Sequence, residues 1–223
     1  MATGCASFDE FCRNVDAFLK LSDQSKDGWQ RSTFEDSSHQ LTPYMVKKNV
    51  LRHSVTSQRE VIPDTNTVLS TEDSTEDQLV EDDTGTAAAE KTLTESSSEF
   101  HQYEYHIVYS SSYSVPVLYF TACKSDGKLL SLDEVWQAIP EYYQTRLQHQ
   151  RWTFITQQEH PYLGRPFFQL HPCHTADLMH AVLPQGTDST KRSNYLVTWL
   201  SSVGPVVGLS LPLFYSQLCN RDR

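Results

Sequence analysis

Apolar side chains recur every three to four positions near the start of the chain, which is the spacing of one helix face. Between Ser7 and Leu21 this stripe consists of Phe8, Phe11, Cys12, Val15, Phe18 and Leu19. Ser7 stands three positions before Glu10, the spacing of a capping box in which each side chain bonds the backbone of the other. The pattern predicts an amphipathic helix that packs its apolar face on the core.

Two later segments alternate between apolar and polar positions, the two-residue period of a half-buried strand. The first covers Thr42 to Leu51 and is interrupted at Lys48. In the second, one strand face carries Tyr103, Tyr105, Ile107 and Tyr109. A serine-rich turn then leads to an apolar run over residues 115–122. These segments predict an antiparallel meander.

Helical patterns return in the second half of the chain. Ser131 and Glu134 form another capping box, Pro140 interrupts the helix that they open, and a second helical piece covers residues 141–148. Two further helices are predicted over residues 176–182, where Thr175 supplies the cap, and over residues 193–203.

The stretch from residue 155 to 175, I-T-Q-Q-E-H-P-Y-L-G-R-P-F-F-Q-L-H-P-C-H-T, has no helical pattern. Pro161, Gly164 and Pro166 exclude regular helix, so we predict an extended or looped segment anchored to the core by apolar residues. Those anchors are Phe167, Phe168 and Leu170. Helices and one antiparallel sheet together predict an α+β fold formed as a single domain over residues 1–223.

Charge changes this picture in one region, residues 53–98. From Glu60 to Glu99 there are twelve acidic residues and one lysine, whereas the other positions hold 16 acids and 17 bases. A segment so polar buries too little apolar surface to offset the entropy of ordering it, so we predict a disordered insertion between two strands. The rest of the chain is near neutral and has no basic patch with interleaved aromatics, which argues against nucleic acid as a partner.

The cysteines indicate which cellular compartment the protein occupies and which kinds of site it can form. Cys5, Cys12, Cys123, Cys173 and Cys219 are scattered, odd in number and without a C-x-x-C pair, unlike a disulfide framework or a zinc cage. The sequence also has neither a signal-peptide pattern nor an apolar run long enough to cross a bilayer. We therefore expect a cytosolic protein whose thiols are reduced.

Cys173 is the leading nucleophile candidate, because it lies between His171-Pro172 and His174 just before a predicted helix. A metal site is disfavoured because neighbouring ligands in H-x-C-H point in diverging directions. A cysteine hydrolase would need a base, for which His106 or His160 could serve, yet no protease signature surrounds the cysteine. A thioester carrier needs an accessible thiol without an efficient water-activating base. A cysteine beside proline is also a common packing residue, so the residues alone leave these alternatives open.

A resemblance separates them. The stretch 155–175 resembles the active-site segment of the autophagy E2-like conjugating enzymes. Two further blocks, Y-E-Y-H-I-V-Y-S-S-S-Y-S-V-P-V-L-Y-F and T-W-L-S-S-V-G-P-V-V-G-L-S-L-P-L, are similar to the same family and occur in the same order. The resemblance implies an E2-like core, a curved antiparallel sheet with flanking helices, and a transferase that needs no cofactor or metal.

The resemblance also implies the reaction and its partners. Cys173 would accept the C-terminal glycine of the ubiquitin-like autophagy-related protein twelve from an E1-like activating enzyme, autophagy-related protein seven. It would then pass the glycyl group to a lysine of autophagy-related protein five during autophagosome formation. Because acceptors in this family bind at a sheet edge, Tyr103, Tyr105, Ile107 and Tyr109 form the candidate partner surface. A non-catalytic adaptor and a cysteine hydrolase are the alternatives.

One departure from ubiquitin-type enzymes concerns the oxyanion. Those enzymes carry a His-Pro-Asn tripeptide close before the cysteine, whereas here His160-Pro161 is followed by Tyr162 and no asparagine precedes Cys173 in this stretch. The residues that we predict as supporting groups in its place are His171, Gln158 and Glu159.

Overall fold

The computed structural model of this protein describes residues 4–37, 39–53, 100–147, 154–183 and 193–219. The helices are α1 (Phe8–Ser25), α2 (Leu132–Gln137), α3 (Glu141–Leu147), α4 (Thr175–Val182) and α5 (Tyr195–Val203). The strands are β1 (Trp29–Glu35), β2 (Leu41–His53), β3 (Phe100–Ser110), β4 (Val115–Lys124), β5 (Ile155–Glu159) and β6 (Pro166–Leu170). Short 3₁₀ turns cover Pro172–His174, Gly204–Val207 and Leu213–Leu218. Apart from residue 53, the predicted insertion at 53–98 lies outside the described residues.

The six strands form one antiparallel sheet in the order β1-β2-β3-β4-β6-β5. Strands β2 and β3, which flank the acidic stretch in sequence, are direct neighbours. With helices packed on this sheet, the predicted α+β class and the meander of β2, β3 and β4 are confirmed.

Helix α1 covers one face of the sheet, as its apolar stripe predicts. Phe11, Val15, Phe18 and Leu19 are buried, and the helix packs against β1, β2 and α5. Removing such a side chain from water contributes about 1.5–3 kcal/mol. Ser7 accepts a hydrogen bond from the Glu10 N–H, so the predicted start of the helix is correct. At α2 both bonds of the Ser131–Glu134 capping box are present.

Strand β1 was not predicted from the sequence. Of its seven residues only Trp29 is buried, and the remainder are exposed or half-buried, because the strand lies at the edge of the sheet. A strand of this kind has almost no hydrophobic alternation to detect. Its partner β2 contains the predicted break at Lys48 as a β-bulge between Lys47 and Val50, where Asn49 takes a φ of 58°.

Candidate active site

The stretch 155–175 forms a β-hairpin that leads into the cysteine. Strands β5 and β6 pair from Ile155–Leu170 to Glu159–Pro166, and the His160 N–H closes the turn by bonding the Arg165 carbonyl at 2.8 Å. The predicted extended or looped segment is therefore a strand, a turn and a second strand. Pro161 and Gly164 lie in the turn, and Pro166 begins β6. Buried Phe167, Phe168 and Leu170 anchor β6, as predicted.

Cys173 lies in the 3₁₀ turn that follows β6. The Cys173 N–H donates to Nδ1 of His171 at 3.2 Å, so His171 caps this turn. Pro172 is buried and anchors the turn, whereas Cys173 itself is exposed. Helix α4 then begins at Thr175 without a side-chain cap, which corrects the expectation that Thr175 caps it. The side-chain cap belongs instead to the preceding 3₁₀ turn, where it is supplied by His171.

An aromatic side chain that the sequence did not single out lies beside this cap. Tyr113, in the β3–β4 turn, meets the His171 ring edge to face at 5.9 Å between centroids and is 45 % exposed. Since Nδ1 of His171 accepts a hydrogen bond, the proton of the neutral imidazole is on Nε2. The site therefore offers an exposed thiol, an imidazole N–H two residues away and an exposed tyrosine.

The first described residues of the chain support the other side of the site. The Ala6 N–H bonds the Ser114 carbonyl at 2.9 Å, and the Cys5 thiol approaches the Tyr113 carbonyl at 3.9 Å. Gly4 has a φ of +63°, and a Cβ there would lie 1.9 Å from the Ala176 carbonyl oxygen in α4. Only glycine fits this close approach, which packs the N-terminal segment against both the Tyr113 turn and the helix after Cys173.

The two histidines considered as bases lie together and away from solvent. Nδ1 of His106 and Nε2 of His160 are 2.9 Å apart, and their side chains are 2 % and 0 % exposed respectively. Burial lowers the pKa of His160 to about 4, and it also lowers the pKa of His106. In the described part of the chain, no three His, Cys, Asp or Glu side chains converge as a metal site would require.

The chain is similar to known proteins over the residues that form this site. The family model of the autophagocytosis-associated protein active-site domain matches residues 10–214, which include the hairpin, His171 and Cys173. The human ubiquitin-like-conjugating enzyme ATG10 is 41 % identical over 98 % of this chain and 94 % of its own length. The Arabidopsis thaliana ATG10 enzyme is 48 % identical over 52 % of this chain and 53 % of its own. The chain belongs to the family of autophagy E2-like conjugating enzymes.

A weaker match covers about half of the chain. Autophagy-related protein 3 of Pichia angusta is 27 % identical over 46 % of this chain and 30 % of its own length. The chain is thus an E2-like transferase of ubiquitin-like conjugation in autophagy. Across the described residues, none of the helices combines the length and apolarity needed to span a membrane.

For an E2-like enzyme, two of the predicted supporting residues are in the wrong place. Gln158 and Glu159 are exposed at the turn end of β5, the sheet-edge strand, where they pair with Phe167 and Pro166. Cys173 follows the opposite end of β6. Ile155 pairs with Leu170, the last residue of β6. Gln158 lies three residues further along β5, a distance of about 10 Å. Of the three supporting residues, only His171 contacts Cys173, and it does so through the Cys173 backbone N–H.

The predicted partner surface on β3 also needs correction. Tyr103, Tyr105 and Ile107 are 2 %, 0 % and 0 % exposed, and Tyr109 is half-buried against α1. Strand β3 lies inside the sheet between β2 and β4, so it offers no free edge. The alternation that suggested a surface is instead the core-facing side of a central strand.

Proposed function

We propose that Cys173 carries the C-terminal glycine of the ubiquitin-like autophagy-related protein twelve as a thioester and transfers it to autophagy-related protein five. The observation that carries this proposal is the exposed thiol on a capped 3₁₀ turn, within the residues that the active-site family model matches. The name of the human relative, ubiquitin-like-conjugating enzyme, agrees with this chemistry.

The reaction has two acyl transfers. The Cys173 thiolate attacks the glycyl thioester carbonyl on the E1-like protein seven, and the thiolate of the activating enzyme leaves. A lysine amine of protein five then attacks the new thioester, the Cys173 thiolate leaves, and the amine loses a proton to give an isopeptide bond. We place both steps in the cytosol, where cysteines remain reduced.

The surroundings of Cys173 suit a carrier better than a hydrolase. The Cys173 sulfur forms no hydrogen bond to another residue of the described ranges, and His106 and His160 are bound to each other in the sheet. Where no base is hydrogen-bonded to the thiol, water is not efficiently activated, so the thioester carried on that thiol is hydrolysed slowly. His171 can offer its Nε2–H to the oxyanion of each tetrahedral intermediate, because its Nδ1 accepts the Cys173 N–H.

His171→Ala is expected to slow thioester formation at least about fivefold, since it loses the Nε2–H donor as well as a cap bond worth about 1 kcal/mol, and 1.36 kcal/mol corresponds to a tenfold change in rate. His171→Asn is the matched control, because its side-chain carbonyl can accept the Cys173 N–H as Nδ1 does and its NH₂ group retains an N–H donor. Asn should stay within about twofold of wild type. Single-turnover charging on non-reducing gels measures both, and equal losses would contradict the capping role.

Reconstitution with the E1-like enzyme, ATP, protein twelve and protein five tests the proposal itself. Cys173→Ala should yield no conjugate while the fold, followed by circular dichroism, is unchanged. If Cys173→Ala still supports conjugation, Cys173 has a packing role and the chain acts as an adaptor. If the wild-type chain instead releases free protein twelve, it is a hydrolase.

A further inference from the structure

A chain of three polar groups crosses the sheet on the face opposite α1. Glu104 and His106 alternate along β3 with core residues, and His160 lies at the start of the β5–β6 turn. Nε2 of His106 is 2.8 Å from Glu104 Oε1, and Nδ1 of His106 is 2.9 Å from Nε2 of His160. The Tyr162 N–H donates to Nδ1 of His160 at 3.2 Å.

These contacts determine where each proton is. Nδ1 of His160 accepts the Tyr162 N–H, so in the neutral ring Nε2 carries the proton. That Nε2–H must donate to Nδ1 of His106, which leaves Nε2 of His106 protonated and able to donate to the Glu104 carboxylate. Every polar atom of both rings is thereby satisfied by one arrangement of hydrogen bonds, as buried groups require.

Burial keeps this arrangement in place at neutral pH. Desolvation lowers the pKa of His160 to about 4, with a further contribution from His106. Desolvation also lowers the pKa of His106, although Glu104 opposes it. Both rings therefore stay neutral near pH 7. Tyr44, Tyr119 and Phe167 surround the His160 ring at 4.9–5.8 Å between centroids.

The connection matters because the backbone pairing between the hairpin and the rest of the sheet is short. Strand β6 pairs with β4 at two positions, Tyr119–Gln169 and Phe120–Phe168, whereas β3 and β4 pair at ten. His160 reaches past β4 to β3 and fastens the turn end of the hairpin. At the opposite end of the hairpin, the N–H of His171 donates to the Phe154 carbonyl at 2.9 Å. His171 lies two residues before Cys173.

We propose that His160, held by His106 and Glu104, is a positioning residue that sets the tilt of the β5–β6 hairpin and so the place of Cys173. The inference rests on the proposed function, because it concerns the rate at which Cys173 accepts a glycyl group. At its turn end the hairpin is held by the His160–His106 hydrogen bond and by Tyr162, which stacks on Phe34 at 4.7 Å and contacts Tyr44 at 5.2 Å between centroids. The hydrogen bond fixes a direction that the aromatic contacts leave free, so its loss lets the turn end shift and displaces the other end of the hairpin, which Cys173 follows.

Two substitutions separate the two hydrogen bonds of His160. In His160→Gln the side-chain amide reaches the position of Nε2 and still donates to His106, while the bond from the Tyr162 N–H is lost. In His160→Asn the shorter carbonyl still accepts the Tyr162 N–H, as in an Asx turn, but does not reach His106. Both side chains are neutral and polar, so each is a control for the other.

The measurement is single-turnover charging by the E1-like enzyme loaded with protein twelve. Misplacement by about 1 Å can cost up to 10²-fold in rate, so we expect His160→Asn to lower the rate constant at least about tenfold and His160→Gln to stay within about threefold. The amplitude of charging measures the fraction of molecules that are folded and competent. A variant that is only destabilised therefore lowers the amplitude and leaves the rate constant unchanged. Equal rate constants for the two variants, or a fall in amplitude alone, would overturn the proposal.

A second pair keeps the test decisive if the His160 variants do not fold. Glu104→Gln retains a carbonyl acceptor for the Nε2–H of His106, whereas Glu104→Leu removes it. Glu104 is half-buried at the edge of the network, so both chains should fold. We expect a several-fold lower rate constant for Leu alone, and equal rates for Leu and Gln would refute the positioning role. If Cys173→Ser forms no adduct at all, the proposed function itself has failed.

Discussion

Replacing Cys173 by serine is expected to convert a reducible adduct into one that survives thiol. A serine hydroxyl attacks the same glycyl carbonyl but gives an oxyester, which exchanges with thiols and amines far more slowly than a thioester. Cys173→Ser should therefore accumulate a species of the mass of this chain plus protein twelve and should form almost no conjugate with the acceptor. Gels run with and without dithiothreitol after charging measure both effects.

Other cysteines of the chain provide the controls for this result. Cys5 and Cys123 are half-buried, and their sulfurs approach the backbone carbonyls of Tyr113 and Gln102 at 3.9 and 3.6 Å. Cys5→Ser and Cys123→Ser should charge like wild type and keep a thiol-sensitive adduct. If the reduction-resistant adduct appears in Cys123→Ser rather than in Cys173→Ser, Cys173 is not the nucleophile.

Phe18→Ala is expected to have the largest effect on stability. The Phe18 side chain is fully buried, stacks on Tyr215 at 4.2 Å and meets Trp29 edge to face at 5.8 Å. It therefore joins α1, β1 and the C-terminal 3₁₀ turn, and truncation opens a cavity among all three. We expect the free energy of unfolding to fall by about 3–5 kcal/mol, measured by urea denaturation.

Phe18→Leu and Lys20→Ala are the comparisons for that measurement. Leucine retains most of the buried volume and should cost about 1–2 kcal/mol, and the exposed Lys20 should change stability by less than about 0.5 kcal/mol. A loss below about 1 kcal/mol for Phe18→Ala would show that α1 is not packed as described.

The sequence was most informative where one periodicity dominated. The stripe of α1 and the alternation of β3 predicted those elements, because burial of one face imposes a period of 3.6 or 2 on the side chains. The Ser131–Glu134 spacing likewise predicted the start of α2 through local hydrogen bonds. Cys173 was singled out by its neighbours in the chain, and it lies within the residues that the active-site family model matches.

Contacts between distant segments could not be predicted in the same way. Burial patterns indicate that Tyr103, Tyr105 and Ile107 share a face, but not whether that face meets solvent or α1. The order of strands decided this, since β3 is flanked on both sides. The same limitation applies to Gln158 and Glu159: the pairing of β5 with β6 places them at the turn end of the hairpin, whereas Cys173 follows its other end.

Residues of the site that the sequence missed are those joined by long-range packing. Tyr113 lies 58 positions before His171 in a serine-rich turn, and only the pairing of β3, β4 and β6 brings their rings together. His106 and His160 were noticed as possible bases, yet their hydrogen bond depends on the same topology. No local pattern marks either pair.

The central claim is that Cys173 both accepts and passes on the glycyl group, and a pulse-chase tests it most directly. The chain is charged with labelled protein twelve, ATP is removed, and protein five is added. We predict that label leaves the thiol-sensitive adduct on Cys173 and appears, at the same rate, in a thiol-resistant conjugate with protein five. Label that remains on the chain, or that is released as free protein twelve, would contradict the account.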